Sequence, residues 1–276
     1  MDRIRLIASD MDATLLDEQS QLPADFEETI HALAELGIRF APASGRPLYT
    51  LEAMFPTLQD ELVFIGDNGG AIRWKGQNLF TSEMSPEGWR ALSRLTREQG
   101  DIAVLCGLES AYVERPFAVH DAVLRHFYTK IEYVDRLEDV AAPADKFTIY
   151  LPQHNAQQAY DTVYASQRSI YSVAVAGECW VDIMNPGVHK GAALQTLGQL
   201  WGLPSESIMA FGDTYNDAEM LRTAKYGFLM ENGSVPLRRN VPFLAPSNRE
   251  AGVMQVLHRV LAQNGCVCPE DFVPAH

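Results

Sequence analysis

The chain has little cysteine, little positive charge and no long apolar run. Only 4 of its 276 residues are cysteine. Cys266 and Cys268 are separated by one residue, which is not a zinc-ligand spacing. Cys106 and Cys179 fall in strand-like runs and read as small packing hydrophobes, the usual fate of unpaired cysteine in a reducing compartment. Basic residues number 22 against 36 acidic ones, a formal net charge of −14 with a pI of about 4.9. A surface of that sign repels a nucleic-acid backbone and an anionic membrane alike, so neither is an expected partner. No apolar stretch approaches the roughly 20 residues of a membrane span. The opening run from Met1 reaches Asp10 too soon to hold the apolar segment of a signal peptide, so the expected compartment is cytoplasmic.

What is present is ordinary for a folded protein: 47% apolar and 21% charged residues, in a length that accommodates one or two domains with a sizeable core. On so acidic a chain, an anionic small ligand needs a local cluster of cations, metal or backbone N–H groups. Apolar runs at 4–9, 38–43 and 62–65 read as buried strands, with a helix over 25–36 that Gly37 ends. A hairpin follows over 71–74 and 78–80. Residues 190–201 form a helix, 208–211 a strand, 218–223 a short helix, 226–230 and 243–245 two strands, and 250–261 a closing helix. Strands alternating with helices predict a parallel sheet. The middle differs. Helices over 86–98, 119–127 and 157–166 mix with strands over 102–105, 112–114, 146–151, 172–176 and 180–184. That pattern predicts an α+β insert. The expected fold is therefore an α/β, Rossmann-like parallel-sheet core over 1–82 and 185–276, interrupted by an inserted α+β unit over 83–184.

In an open parallel sheet, ligands bind beyond the carboxyl ends of the strands. Asp10 and Asp12, then Ser44, Gly45 and Arg46, then Asp213, Asn216 and Asp217 all follow predicted strands, and Lys190 opens a helix. Carboxylates gathered there repel one another unless they share a cation. Hard oxygen ligands point to Mg²⁺. The small Ser44-Gly45 pair opens backbone N–H groups to a phosphate. Each motif alone has a plainer reading. Asp10 and Asp12 suit a solvated turn, Lys190 a solvated helix face, Asp213 a helix cap. Arg46 divides evenly between a substrate contact and an ion pair. Asn68-Gly69-Gly70 favours a tight turn, His189 a bystander role, and Trp180 and Tyr112 plain packing.

Together the motifs resemble a known family. Asp10-Met11-Asp12-Ala13-Thr14-Leu15 resembles the D-x-D-G-T motif of the haloacid dehalogenase superfamily. Ser44-Gly45-Arg46 is similar to its second motif, Lys190-Gly191 to its third, and Gly212-Asp213-Thr214-Tyr215-Asn216-Asp217 to its fourth. Asp67-Asn68-Gly69-Gly70 and Gly187-Val188-His189-Lys190-Gly191 resemble segments of its Cof-type phosphatase branch, whose α/β cap corresponds to the insert. The resemblance runs from Ile4 to about Leu261.

That resemblance implies a Mg²⁺-dependent phosphatase acting on small phosphate monoesters, either sugar phosphates or phosphorylated cofactors. Asp10 is implied as the nucleophile that forms an aspartyl-phosphate, and Asp12 as the acid and then base. Ser44 and Lys190 are implied to bond phosphoryl oxygens. Asp10, the Asp12 carbonyl, Asp213 and Asp217 are the implied metal ligands. Gly45, Arg46, Asn68 and Asn216 are assigned to the substrate side, with Asn216 orienting the phosphoryl group or Lys190. Two departures stand out. Ala13 replaces the motif's glycine, which puts the loop after the nucleophile, and with it the rate, in question. Asp182 stands where the branch often has glutamate, one methylene longer. A phosphosugar mutase or phosphotransferase uses the same groups, and a non-catalytic phospholigand-binding protein is the third reading. The sequence sets no oligomeric state.

Overall fold

The computed structural model describes residues 1–275. Among these, the strands form one nine-stranded sheet, one six-stranded sheet and a two-stranded ribbon. In the nine-stranded sheet the strands Phe243–Ala245, Tyr226–Met230, Ile208–Gly212, Leu6–Asp10, Arg39–Ala43 and Val63–Gly66 lie side by side and parallel. Ala71–Trp74 and Gln77–Thr81 extend it as an antiparallel hairpin. Lys75 and Gly76 both take positive φ at the hairpin's turn, the backbone that matches strand twist in a two-residue loop.

Period-two alternation sends the two sets of strand side chains to opposite faces. Ile7, Phe40, Phe64, Phe211 and Phe228 face one way, against the helices Phe26–Glu35 and Gly252–Ala262. Leu6, Ala8, Ala41 and Ala210 face the other. The small residues on that side leave room for the helix Lys190–Trp201, which packs there through Ala193, Leu194 and Leu197.

The six-stranded sheet comes from the middle of the chain. Its order is Ser172–Val175, Trp180–Met184, Ala144–Tyr150, Ile102–Gly107, Ala111–Glu114, Ile131–Val134, antiparallel except for the last pair. Leu105, Phe147, Ile149, Val181 and Ile183 face the helix Pro86–Gln99 around Trp89. That helix is bounded by the Ser85 hydroxyl, which accepts from Gly88 N–H, and by left-handed Gly100. Lys146, Thr148, Trp180 and Asp182 point to the opposite face, because Thr148 pairs with Asp182 and Tyr150 with Trp180 across the ladder. The chain enters and leaves this layer side by side, where Asn185 Nδ2 donates to Ser82 O and Glu83 O.

Four expectations change. The helix over 119–127 is a 3₁₀ turn at Arg115–His120 followed by a helix at Asp121–Phe127. The helix over 157–166 is Ala156–Asp161, ending where Thr162 leaves helical angles and its hydroxyl bonds Gln158 O. The closing helix begins at Gly252, because Ala251 takes φ 53°. Cys179 sits in the turn before Trp180 rather than in a strand, whereas Cys106 is buried within one. No helix among the described residues is long and apolar enough to cross a membrane.

Candidate active site

Parallel strands end at a common edge, and there the predicted groups meet. Asp10 ends the strand Leu6–Asp10, and Asp213 follows the strand Ile208–Gly212, its hydrogen-bonded neighbour. Lys190 opens the helix on the alanine face, and its Nζ is fully buried. That ammonium donates to Asp10 Oδ1 and, at 2.7 Å, to Asp217 Oδ1. Asp217 Oδ2 accepts from the backbone N–H of Asp213 at 3.0 Å and Thr214 at 3.2 Å. Gly212 is required in this turn, since a Cβ there would stand 2.4 Å from the Asp217 side chain. His189 Nδ1 accepts from Ala192 N–H, capping the helix that carries Lys190.

The electrostatics follow from burial and crowding. Burial, then the Asp217 charge, push the Asp10 carboxyl well above its ordinary value, with Lys190 opposing them. Burial and Asp217 likewise push Asp213 up to about 6. Burial disfavours the Lys190 ammonium, but Asp10 and Asp217 overcome it and hold the group protonated. Asp10, Asp213 and Asp217 each bring a carboxylate oxygen within 4.8 Å of the others. Three acids against one lysine leave an excess of negative charge, and hard oxygens at that spacing fit a divalent cation such as Mg²⁺. Asp12 is not part of this cluster. Its carboxylate is exposed and pairs with the Arg46 guanidinium at 2.8 Å, so Arg46 makes the ion pair of its two readings. Asn216 lies at the exposed mouth, while Lys190 is held by Asp10 and Asp217.

Ala13 occupies the glycine position at φ 59°. Asn232 Nδ2 donates to its carbonyl at 2.8 Å, and Thr14 Oγ1 lies 3.5 Å from Asp213 Oδ1, so the loop stays on the site despite the extra methyl. Left-handed backbone costs an alanine about 1–2 kcal/mol, while glycine's freer unfolded chain costs about 0.4–1 kcal/mol. Ala13→Gly is therefore expected to raise stability slightly, by up to about 1.5 kcal/mol. A rise in the urea midpoint at unchanged slope checks it; a fall would show that the methyl packs favourably.

A cavity of about 820 Å³ separates this edge from the six-stranded layer. One wall holds Asp10, Asp12, Ser44, Gly45, Arg46, Asn68, Asp213 and Asn216. The other holds Phe127, Tyr128, Tyr160, Trp180, Lys146, Thr148 and Asp182. Trp180 packs against Phe127 and Tyr150, with ring centroids 5.0 and 4.6 Å away. It is thus a packed residue that also faces the cavity, whereas Tyr112 lies elsewhere, beside a smaller pocket. Asp182 does reach the other layer: its Oδ2 accepts from Asn68 Nδ2 at 3.0 Å. Asn68 takes φ 55° within a short turn, so the turn and the cavity-facing role coincide. Sequence reasoning missed Lys146, whose signal was the only cation in a buried strand, beside Asp145 and Thr148.

The haloacid dehalogenase-like hydrolase family profile matches residues 7–257. The chain belongs to this family. Among its relatives is the 5-amino-6-(5-phospho-D-ribitylamino)uracil phosphatase YbjI of Escherichia coli (strain K12), 32% identical over 262 residues, covering 94% of this chain and 96% of that one. The HMP-PP phosphatase of Cronobacter sakazakii is 31% identical over 255 residues, 87% of this chain and 89% of the other. The crystal structure of SMU.1108c from Streptococcus mutans UA159 superposes with TM-score 0.85 at 29% identity, covering 94% and 99%. TM0651 from Thermotoga maritima shares the fold, with TM-score 0.81 at 19% identity over 93% of this chain and 97% of that one. This haloacid dehalogenase-like hydrolase is a phosphoric monoester hydrolase.

Proposed function

We propose that this hydrolase is a Mg²⁺-dependent phosphatase that cleaves small phosphorylated metabolites through an aspartyl-phosphate. The observation that carries the proposal is the convergence of Asp10, Lys190, Asp213 and Asp217 at one sheet edge, with Asp10 and Asp213 lining the cavity and Lys190 and Asp217 buried directly behind them. Asp10 attacks phosphorus, and the bond to the leaving oxygen breaks as Asp12 gives that oxygen a proton. Asp12 then takes a proton from the water that attacks the phosphorus of the aspartyl-phosphate, releasing phosphate and restoring the Asp10 carboxylate. Ser44 and Lys190 bond the phosphoryl oxygens, and Gly45 offers its N–H. Asp10, Asp213 and the Asp12 carbonyl would hold the metal. Asp217, already engaged by Lys190 and two backbone N–H groups, anchors the lysine and the loop. When bound, Mg²⁺ supplies charge stabilisation at the phosphoryl oxygens.

Residues 83–184 serve as the cap that excludes water and selects the leaving group. The aromatic side of the cavity, with Phe127, Tyr128 and Trp180, suits a substrate carrying a flat ring. The activities for which the relatives from Escherichia coli and Cronobacter sakazakii are named support that class. A phosphate-release screen over sugar phosphates, nucleotides, and pyridoxal and flavin phosphates tests it. Ring-bearing phosphates are expected to give the higher kcat/KM; a clear preference for plain sugar phosphates would overturn the ring assignment.

The metal makes a separate prediction. A carboxyl whose pKa is raised on folding stabilises the folded state while protonated, and that contribution is lost as pH rises through the folded value. For Asp213 that value is about 6. The metal-free protein should therefore lose thermal stability between about pH 4 and 6, and Mg²⁺ should raise the melting temperature more above that window than below it. EDTA should stop phosphate release and Mg²⁺ restore it. Full activity in chelator, or a larger Mg²⁺ shift at low pH, contradicts the metal role.

A further inference from the structure

Lys146 lies outside the phosphoryl site yet is bonded to it. It stands on the strand Ala144–Tyr150 of the six-stranded layer and is 2% exposed. Its Nζ donates to Gly45 O at 2.6 Å and pairs with Asp67 Oδ1 at 2.9 Å, both on the opposite side of the seam. Asp182 Oδ2, from the neighbouring strand of its own sheet, is 3.6 Å away. Burial disfavours this ammonium, but Asp182 and Asp67 outweigh it and keep the group charged. The nearby Asp145 is fully buried with neither oxygen hydrogen-bonded, and burial and the Asp67 charge push its carboxyl well above the ordinary range. Lys146 therefore has Asp67 and Asp182 as its carboxyl partners. Three other polar contacts cross the seam: Arg73 with Glu109 and Thr50 with Thr129 involve the hairpin and the helix Leu48–Ala53, while Asn68 with Asp182 adjoins the Ser44–Arg46 turn through the Asn68 N–H, which donates to Ser44 O rather than to the Gly45–Arg46 peptide.

The bond to Gly45 O has consequences at the far end of the same peptide group. The Gly45 carbonyl and the Arg46 N–H belong to one planar unit. That N–H donates to Ser44 Oγ at 3.1 Å. A hydroxyl that accepts in this way keeps its own proton free to donate elsewhere. The Arg46 side chain, from the same residue, holds the Asp12 carboxylate.

We infer that Lys146 is a positioning residue for phosphoryl transfer: by fixing the Gly45–Arg46 peptide from the opposite layer, it aims the Ser44 hydroxyl and couples closure of that layer to assembly of the site. The inference rests on the proposed role of Ser44. Small displacements of such a donor are costly to rate, because the transition state rewards only the correct geometry.

The test is a double-mutant cycle in the full chain, with para-nitrophenyl phosphate and Mg²⁺. Lys146→Met is expected to lower kcat by about 10–100-fold with KM changed by no more than about threefold. In a Ser44→Ala background the same substitution should change kcat by less than about twofold, since both act through one hydroxyl. Lys146→Gln keeps an N–H donor and should recover part of the loss. A purely structural lysine lowers the melting temperature and leaves kcat per folded molecule unchanged, which overturns the inference. So do losses that multiply fully across the two sites. If Ser44→Ala by itself leaves kcat unchanged, the role of Ser44 fails and the inference falls with it; independent losses with a damaging Ser44→Ala sink the lysine alone. Should Lys146→Met fail to fold because Asp67 is left unpaired, the comparison is made between Asp67→Asn and Asp67→Asn/Lys146→Met, with the same outcomes deciding.

Discussion

Asp10→Asn is expected to reduce phosphate release by at least about 10⁴-fold while the protein remains folded, because an amide cannot form the acyl phosphate and no other carboxylate occupies its place. Asp213 and Asp217 are the nearest acids in the cluster, but one borders the proposed metal position and the other is bound to Lys190 and two backbone N–H groups. Burial and Asp217 disfavour charge on Asp10, so the neutral asparagine should be tolerated or even stabilise the metal-free protein. Two measurements check this: phosphate release under saturating substrate, and the thermal melt without metal. Activity near that of the parent chain removes Asp10 as the nucleophile. Loss of activity accompanied by unfolding leaves the variant uninformative about chemistry, and trapping of a covalent phosphoryl-enzyme on the parent chain then decides.

Lys190→Met is the second large effect. The ammonium is fully buried between Asp10 and Asp217. Its removal leaves two buried carboxylates without their shared cation, a change that costs about 3–5 kcal/mol in comparable buried pairs. It also withdraws a charged donor from the phosphoryl oxygens, for which a loss of about 10²–10³ in kcat is expected. Mg²⁺ should recover part of the stability, because it would also neutralise Asp10, but not the rate, because it would not replace the N–H donors of Nζ. Urea unfolding with and without Mg²⁺, beside steady-state kinetics, separates the two effects. Turnover within about tenfold of the parent would show that Lys190 serves the fold alone.

The helix Lys190–Trp201 and the strand Tyr226–Met230 coincide with the ranges expected from periodicity, because both are bounded by local signals: a helix start after Gly187-Val188-His189 and Gly202 beyond it, and a continuous apolar run. Strands such as Ile131–Val134 escaped notice. That strand is half-exposed and pairs with Ala111–Glu114, so its order comes from the partner and not from its own four residues. The ribbon of Asp2–Arg3 with Cys266–Val267 joins opposite ends of the chain and has no local signature at all. The helix over 119–127 starts late, after a 3₁₀ turn at Arg115–His120 that carries Pro116, and that over 157–166 stops at Asp161, with Thr162 outside helical angles.

By itself the sequence determined which chemical groups end the parallel strands and in what order. That information is local, since a run of apolar residues followed by aspartate or serine-glycine puts those groups at the sheet's carboxyl edge wherever the strand is placed. It also determined the excess of acid over base that makes a shared cation necessary. Tertiary structure alone decided what faces this edge. The ladder register between Ala144–Tyr150 and Trp180–Met184 turns Lys146, Thr148, Trp180 and Asp182 toward the cavity, and a shift of one residue would turn them all away. It likewise decided that Arg46 meets Asp12, that His189 caps its own helix, and that Lys146 reaches Gly45 O across 101 positions of chain. Such contacts depend on the packing of two layers, a long-range balance of burial and charge that no window of neighbouring residues contains.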